Sequence, residues 1–286
     1  MRVAVIGANG QLGTDVCKVF RESGHDVIEL NHAELDVRDA ASVQRTMQSA
    51  APQLVVNTAA LHNLEQCEAA PQDSAAVNAL GPRNLAAAGG QFGYALMHVS
   101  TDYVFDGSKG KPYVEHDRTN PLSVYGRTKL QGEDAVRETL ARHFIVRTSG
   151  LYGSAPCRAK PSGNFVQLML RLARERGEVR VVTDEIVTPT YTADLARQMV
   201  RIVESGRHGL YHATSQGETS WYDFASRIFE LTGTKVKMHE AGVADFPQKA
   251  PRPKYSVLDN AELRSARLDI MPHWSESLAK YIHSMN

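Results

Sequence analysis

The first thirteen residues constrain the fold of this chain more than any other feature. A short apolar run, Arg2–Ile6, leads at once into a turn with three glycines and then into a helix-like pattern, Gln11–Glu22. Glycines allow a tight bend, close approach of a pyrophosphate and close helix–strand packing, while helix N–H groups and the helix dipole hold phosphates. The turn therefore predicts a dinucleotide site, with the candidates Gly7, Gly10, Gln11, Leu12 and Gly13. Its spacing, G-x-x-G-x-x-G, differs from the commoner G-x-G-x-x-G. The prediction therefore depends on the position of the motif, directly after a buried strand.

A β–α alternation continues through the first half of the chain. Strand-like runs lie at Arg2–Ile6, Asp26–Leu30, Leu54–Thr58, Leu96–Ser100 and His143–Thr148, and helix-like segments lie at Gln11–Glu22, Ala41–Gln48, Ser74–Gly89 and Val124–Arg142. Parallel strands joined by crossover helices form a sheet covered on both faces. We therefore predict an α/β fold with a doubly wound parallel sheet of the Rossmann type.

Beyond residue 150 the alternation of strands and helices becomes less regular. The segment 154–163 is rich in Pro, Gly, Ser and Lys and predicts a loop, and 241–254 carries three prolines and predicts irregular structure. Helical patterns at 164–176, 192–205 and 220–232 alternate with strand-like runs at 179–183 and 210–213, and Ser220 is a candidate N-cap for the last helix. We predict a dinucleotide-binding domain over 1–149, with segments near 185–215 returning to it, and a smaller, discontinuous α/β substrate lobe in 150–286.

Composition narrows the functional class. Lys plus Arg equals Asp plus Glu at 32 each, so no overall field attracts nucleic acid or anionic lipid. The three cysteines are far apart and odd in number, which fits a reducing compartment. No secretory signal is visible, and no apolar stretch approaches the ~20 residues that span a bilayer. We expect a cytoplasmic protein with no nucleic-acid or membrane partner.

Two groups of metal-ligand residue types do not predict a metal site. His208 and His212 lie in a strand-like pattern, where residues four apart are about 13 Å from each other. Glu34, Asp36 and Asp39 have no His or Cys beside them at zinc-ligand spacing. We expect no metal.

A Tyr–Lys pair carries the strongest catalytic signal. Tyr125 and Lys129 are four apart in a predicted helix, so the phenol and the ammonium share one face. A nearby ammonium favours the phenolate, so we expect Lys129 to lower the pKa of Tyr125. The spacing Y-x-x-x-K occurs nowhere else in the chain. An exposed Tyr and Lys on a solvated helix face would show the same spacing without any catalytic role.

Polar residues follow two of the predicted strands. Ser100 and Thr101 end one strand, and Asn57 ends another, with the small residues Ala59 and Ala60 after it. Ligands of open α/β sheets bind at the carboxyl ends of the strands. These positions therefore predict a site, although hydroxyls there also cap loops.

Together these motifs resemble the extended short-chain dehydrogenase/reductase superfamily, and more closely the dTDP-4-dehydrorhamnose reductase family. The likeness extends over nearly the whole chain through STDYVFDG (100–107), NPLSVYGRTKLQGE (120–133), RTSGLYG (147–153), GNFVQLMLRLARER (163–176), TPTYTADLA (188–196) and RPKYSVLD (252–259). The resemblance implies reduction of the C4 ketone of a nucleotide-linked 4-keto-6-deoxyhexose, most simply dTDP-4-dehydro-L-rhamnose to dTDP-L-rhamnose.

The resemblance also implies roles for individual residues. Tyr125 would protonate the developing alkoxide, Lys129 would bind the nicotinamide ribose and tune Tyr125, and Thr101 would hydrogen-bond the substrate carbonyl. Cofactor contacts would extend to Asp36, Val37, Asn57, Ala59 and Ala60. The implied substrate-binding residues are Thr101, Asp102, Tyr103, Gly150, Asn164 and Arg252.

One position departs from the family pattern. Gly150 stands where the family often has a tryptophan beside the sugar, and the following loop, 154–163, looks longer than in short members. We expect that loop to fold over the site in its place. The departure bears on which sugar is bound, and not on hydride transfer.

The end of the second strand bears on cofactor choice. It reads Leu30-Asn31-His32, without the acidic residue typical of strict NAD enzymes and without an arginine for a 2′-phosphate. We expect NADPH, with NADH tolerated, in a monomer or homodimer. Two alternatives stay open: another nucleotide-sugar reductase or epimerase of the superfamily, and a non-catalytic dinucleotide-binding regulatory subunit like that of methionine adenosyltransferase.

Overall fold

A parallel sheet forms the centre of the protein. The structure, a computed structural model, describes residues 1–156, 163–246 and 250–285. In these residues the sheet has six strands in the order β10-β5-β4-β3-β1-β2. They are β1 (Arg2–Ile6), β2 (Asp26–Leu30), β3 (Leu54–Asn57), β4 (Ala95–Thr101), β5 (His143–Thr148) and β10 (Gly209–His212). Since β10 comes from the second half of the chain, the two halves share one sheet. The predicted doubly wound fold is confirmed.

Helices cover both faces of this sheet. They are α1 (Gln11–Glu22), α2 (Ala40–Ala50), α3 (Leu64–Ala69), α4 (Pro71–Ala75), α5 (Gly81–Phe92), α6 (Val124–Thr139), α7 (Phe165–Arg176), α8 (Thr192–Glu204), α9 (Trp221–Thr232), α10 (Ala261–Ser265) and α11 (Trp274–Ser284). One apolar cluster joins the sheet to α1 and α8. Another joins the opposite face to α2, α5 and α6.

Local chemistry explains where several helices begin. Asp39 accepts a hydrogen bond from Ala41 N–H before α2, and Ser123 accepts one from Gly126 N–H before α6. The predicted N-cap Ser220 accepts from Asp223 N–H before α9. Such side-chain oxygens satisfy N–H groups that the first turn of a helix leaves without partners.

A third apolar cluster lies in the second half of the chain. It packs α7, α9 and α11 together with small strand pairs. These strands are β6 (Leu151–Tyr152) with β9 (Thr190–Tyr191), β7 (Glu178–Val182) with β12 (Lys237–Ala241), and β8 (Ile186–Val187) with β11 (Thr219–Ser220). The division into domains at residues 149 and 150 stays a prediction.

The structure divides one of the predicted helices. The helix predicted at 74–89 is divided into α4, a π-helical turn at Ala76–Leu80 and α5. π-helical turns are rare, so one continuous helix is the expectation for this segment. The predicted loop at 154–163 lies largely outside the described residues. In the part of the chain that is described, no helix is long and apolar enough to cross a membrane.

Candidate active site

The segment 7–13, here called the glycine turn, joins β1 to α1. Gly7 has φ +76°, and its N–H donates to the Leu30 carbonyl at the end of β2 at 2.8 Å. A Cβ on Gly13 would overlap the carbonyl oxygen of Gly7. The turn therefore needs glycine at both positions, at Gly7 for the backbone conformation and at Gly13 for packing of α1 against β1.

The start of α1 is open to a ligand. Gly10, its N-cap, provides no side-chain hydrogen bond, so the first-turn N–H groups lack a capping partner. Gln11 Oε1 is buried and has no hydrogen-bond partner among the described residues. Uncapped N–H groups and a helix dipole fit an anionic phosphate. The chemistry of this segment therefore suits a dinucleotide.

The end of β3 lies beside the glycine turn. A Cβ on Gly7 would approach Thr58 Oγ1 to 2.8 Å and Ala59 N to 3.1 Å. Asn57 is buried and accepts a hydrogen bond from Ala59 N–H at 3.1 Å. Ala60 follows in the same loop. The structure thus brings the predicted cofactor residues of the glycine turn and of 57–60 together.

Asp36 and Val37 differ in their surroundings. Asp36 accepts two hydrogen bonds from the Arg38 Nε–H, at 2.9 and 3.0 Å, and one from Nη2–H at 2.7 Å. These bonds lower the pKa of Asp36 to about 2, and the charge of His32 acts in the same direction. Val37 is buried against Gly81. Arg38 lies beyond the strand end 30–32 that lacks an arginine, and its guanidinium pairs with Asp36 two residues earlier in the chain.

The ends of β4 and α6 meet in what we call the catalytic edge: Thr101, Asp102, Tyr125 and Lys129. A Cβ on Gly126 would overlap the Tyr103 carbonyl, so glycine allows α6 to approach the end of β4 closely. The Tyr125 ring meets the Tyr103 ring edge-on at 5.9 Å between centroids. The Thr101 hydroxyl lies close enough to the Tyr125 phenol to lower its pKa in part.

Lys129 is buried, and its ammonium is held by the backbone. Nζ donates to the carbonyl oxygen of Val99 in β4 at 2.6 Å. Burial lowers the pKa of Lys129 to about 8, and the charge of Glu133 opposes this shift.

The expected lowering of the Tyr125 pKa is wrong for the protein alone. Burial raises this pKa above its ordinary value, against the hydrogen bond with Thr101, and the charge of Asp102 adds to the rise. Desolvation of the phenolate outweighs attraction by a lysine whose Nζ is committed to a carbonyl.

Asp102 connects the catalytic edge to the next strand. Its carboxylate accepts from the Thr101 hydroxyl at 3.0 Å and from the Ser149 hydroxyl at 2.9 Å. Asp102 is buried, which raises its pKa to about 6 in spite of these hydrogen bonds. The hydroxyl proton of Thr101 is thus directed to a carboxylate that lies next to it in the sequence.

The remaining predicted substrate residues lie on several elements. Arg252 lies 3.6 Å from Glu65, and its Nε is buried without a hydrogen-bond partner in the described part of the chain. Burial raises the pKa of Tyr103, and the positive charge of Arg252 lowers it in part. Arg252 is thus within electrostatic reach of the catalytic edge.

Asn164 and Gly150 serve the local structure in visible ways. Asn164 caps α7 through the N–H of Gln167 and donates to the carbonyl of Gly153 at 2.9 Å and to the Tyr281 hydroxyl at 3.2 Å. Gly150 has φ +56°, and a Cβ there would come within 3.0 Å of Pro189 Cα.

Sequence reasoning named Ser100 but missed the buried pair Glu133 and Arg147 behind the catalytic edge. Glu133, Arg147 and Ser100 form one hydrogen-bonded cluster. Glu133 follows Lys129 by four residues, so helical spacing could have placed it on the same face. Nothing in the sequence joins it to Arg147 in β5.

No metal cluster is apparent where the chain is described: residues 1–156, 163–246 and 250–285 contain no group of three His, Cys, Asp or Glu that could hold a metal ion.

Comparison with known proteins gives concordant matches over the full length. The family model of the RmlD substrate binding domain matches residues 1–286. A dTDP-4-keto-6-deoxy-D-glucose reductase of Streptomyces niveus is 37% identical, covering 100% of this chain and 98% of the relative. A crystal structure of a dTDP-4-dehydrorhamnose reductase from Clostridium acetobutylicum has a TM-score of 0.95 at 40% identity and covers 100% of this chain and 99% of that one. The dTDP-4-dehydrorhamnose reductase of Bacillus anthracis, in complex with NADP, has a TM-score of 0.94 at 36% identity, with 99% of each chain covered.

Proposed function

The chain belongs to the RmlD substrate-binding-domain family, that of the dTDP-4-dehydrorhamnose reductases, and from this premise we propose that it reduces dTDP-4-dehydro-L-rhamnose with NADPH to dTDP-L-rhamnose. The observation that carries the proposal is the convergence of a Thr hydroxyl, a Tyr phenol and a buried Lys at the end of β4. The glycine turn follows β1 at the same edge of the sheet, because carboxyl ends of parallel strands lie together.

We propose that the cofactor lies between the glycine turn and the catalytic edge. Phosphates would meet the start of α1 at Gly10, Gln11, Leu12 and Gly13, with Gly7 shaping the turn. Adenine would lie beside Asp36 and Val37, and the loop of Asn57, Ala59 and Ala60 would border the nicotinamide half. When bound, NADPH supplies the hydride. Arg38 beside Asp36 adds a positive group that suits a 2′-phosphate.

Tyr125 is proposed as the proton donor. Its raised pKa keeps the phenol protonated at neutral pH, so a proton is available as negative charge develops on the substrate oxygen. Lys129 is placed one helical turn away, where its ammonium can stabilise the phenolate that remains. Thr101 would donate its hydroxyl proton to the same substrate oxygen, turning away from Asp102, to which it donates in the protein alone.

We assign the substrate's diphosphate and sugar to the side of the catalytic edge where Arg252 and Tyr103 lie. Arg252 is a cation with an unsatisfied buried N–H, a group suited to a phosphate oxygen. Tyr103 and Gly150 would border the sugar. Asn164 would contribute by shaping α7 and the Gly153 backbone beside it, since its side-chain amide already makes hydrogen bonds within the protein.

A second candidate substrate has specific support. The Streptomyces niveus relative is named for reduction of dTDP-4-keto-6-deoxy-D-glucose, a sugar of the same class. A Gly150 in place of the family's frequent tryptophan leaves one face of the sugar site without a flat apolar wall.

One assay tests the function. Purified protein is mixed with NADPH and dTDP-4-dehydro-L-rhamnose formed in situ, and absorbance at the reduced-nicotinamide band is followed. The expected result is stoichiometric oxidation of NADPH with formation of dTDP-L-rhamnose. Turnover with dTDP-4-keto-6-deoxy-D-glucose alone would assign the second substrate. NADPH binding without turnover of either sugar would support a regulatory subunit and overturn the proposal.

Cofactor preference is tested in the same assay. We expect a higher kcat/KM for NADPH than for NADH, because Arg38 is a cationic group beside Asp36. A ratio that strongly favours NADH would contradict this. Cytoplasmic location and a monomeric or homodimeric state complete the proposal.

A further inference from the structure

A fully buried ion pair lies behind the catalytic edge. The side chains of Glu133 in α6 and Arg147 in β5 are 0% and 3% exposed. Arg147 donates from Nε to Glu133 Oε1 at 2.9 Å and from Nη2 to Oε2 at 2.7 Å. Removing two charges from water costs more than a surface pair does, and the attraction between them need not repay the cost. The burial of this pair is therefore not explained by stability alone.

The same carboxylate ties α6 to β4. The Ser100 hydroxyl donates to Glu133 Oε1 at 2.5 Å, and Lys129, one helical turn earlier, donates to the carbonyl of Val99 at 2.6 Å. Two residues four apart on α6 thus hold two consecutive residues of β4. The next residue of the strand is Thr101. Rotation or sliding of α6 would break both contacts at once.

We propose that Glu133, fixed by Arg147, is a positioning residue that sets Tyr125 and Lys129 of α6 against Thr101 of β4. It acts through Lys129 and Ser100, and it makes no contact with the substrate. This inference rests on the reductase function proposed above.

The electrostatic surroundings agree with this role. The charged and titratable groups around Lys129 are Tyr125 and Glu133 on its own helix and His98 on β4. Around Glu133 lie Arg147 on β5, with His212 on β10 behind it, and the half-exposed Arg137 on α6, whose Nη2 is 3.4 Å from Glu133 Oε2. Burial lowers the pKa of His98 well below its usual range and that of His212 to about 3, so both are neutral near pH 7. Glu133 therefore provides the negative charge that favours the ammonium form of Lys129.

The test compares Glu133→Gln with a matched control, Glu138→Gln, which makes the same chemical change at an exposed position of α6. For Glu133→Gln we expect kcat to fall at least ~10-fold with NADPH affinity within about twofold of the parent. The alkaline limb of the pH–kcat profile should shift to lower pH by about one unit, because Lys129 loses its stabilising charge. Glu138→Gln should leave kcat, affinity and profile unchanged.

A fall in kcat without a shift of the alkaline limb would assign Glu133 a merely structural role and overturn the proposal, as would an unchanged kcat. If Glu133→Gln fails to bind NADPH, Ser100→Ala decides, since it removes only one hydroxyl. A several-fold lower kcat with unchanged KM for the sugar supports the proposal, and an unchanged kcat overturns it. The parent enzyme is assayed in parallel, so that absence of turnover in the parent counts against the proposed function alone.

Discussion

The glycine turn and the catalytic edge lie at the same end of the sheet, yet they are built in different ways. The glycine turn offers backbone N–H groups at the uncapped start of α1, and its shape depends on missing Cβ atoms. The catalytic edge offers side chains drawn from β4 and α6, and its properties depend on burial and charge. The first should therefore be sensitive to added atoms, and the second to the loss of a single proton or hydroxyl.

The largest effect is expected from Tyr125→Phe. We expect kcat to fall by ~10²–10⁴-fold, because the phenol donates a proton in the transition state. NADPH affinity should stay near the parent value, since the Tyr125 ring meets Tyr103 and Thr101 rather than the glycine turn. Steady-state rates and a fluorescence titration measure the two quantities. A near-parent kcat would remove Tyr125 from the mechanism.

Lys129→Met should affect both regions. We expect kcat to fall by ~10²-fold and NADPH affinity to fall several-fold, because the ammonium is proposed to serve the phenol and the ribose together. Far-ultraviolet circular dichroism serves as the control for folding, since the variant also loses the hydrogen bond to Val99. Unchanged NADPH affinity would separate Lys129 from the cofactor.

Asp102→Asn tests whether burial controls the charge of the catalytic edge. The folded-state pKa of about 6 lies above the ordinary 3.8, so between these values the folded protein holds a proton that the unfolded chain releases. The free energy of unfolding of the parent should therefore decrease as pH rises from 4 to 6, by an amount on the order of 2–3 kcal/mol from this group. Asparagine does not titrate, so the variant should lack this component. Urea unfolding at several pH values measures it, and parallel pH curves for the two proteins would be the contrary result.

The smallest expected effect comes from the glycine turn. A single methyl group in Gly13→Ala would overlap the Gly7 carbonyl, so α1 must shift from β1. We expect the Kd for NADPH to rise by roughly tenfold and the free energy of unfolding to fall by ~1–3 kcal/mol. Gly90→Ala is a matched control in α5, where a Cβ meets no atom within 4 Å. Equal behaviour of the two variants would mean that the turn does not depend on close packing.

Much of the fold could be predicted from the sequence because its signals are local. The apolar face of α1, the N-cap Ser220 and the glycines of the turn each act within one turn of helix or one bend of the chain. Periodicity and capping chemistry are short-range properties, so a single sequence displays them. The full-length resemblance to a reductase family is a sequence property as well.

Tertiary structure decided the pKa values and the side-chain contacts of the site residues. The pKa of Tyr125 is raised where the sequence argument lowered it, because burial from several elements outweighs a neighbour four residues away. Glu133 meets Arg147 and Ser100 only because α6 packs on β4 and β5. Desolvation and ion pairing depend on which distant segments exclude water from a group, so the sequence determined which residues could react, and the packing of α6 against the sheet decided their charge and their partners.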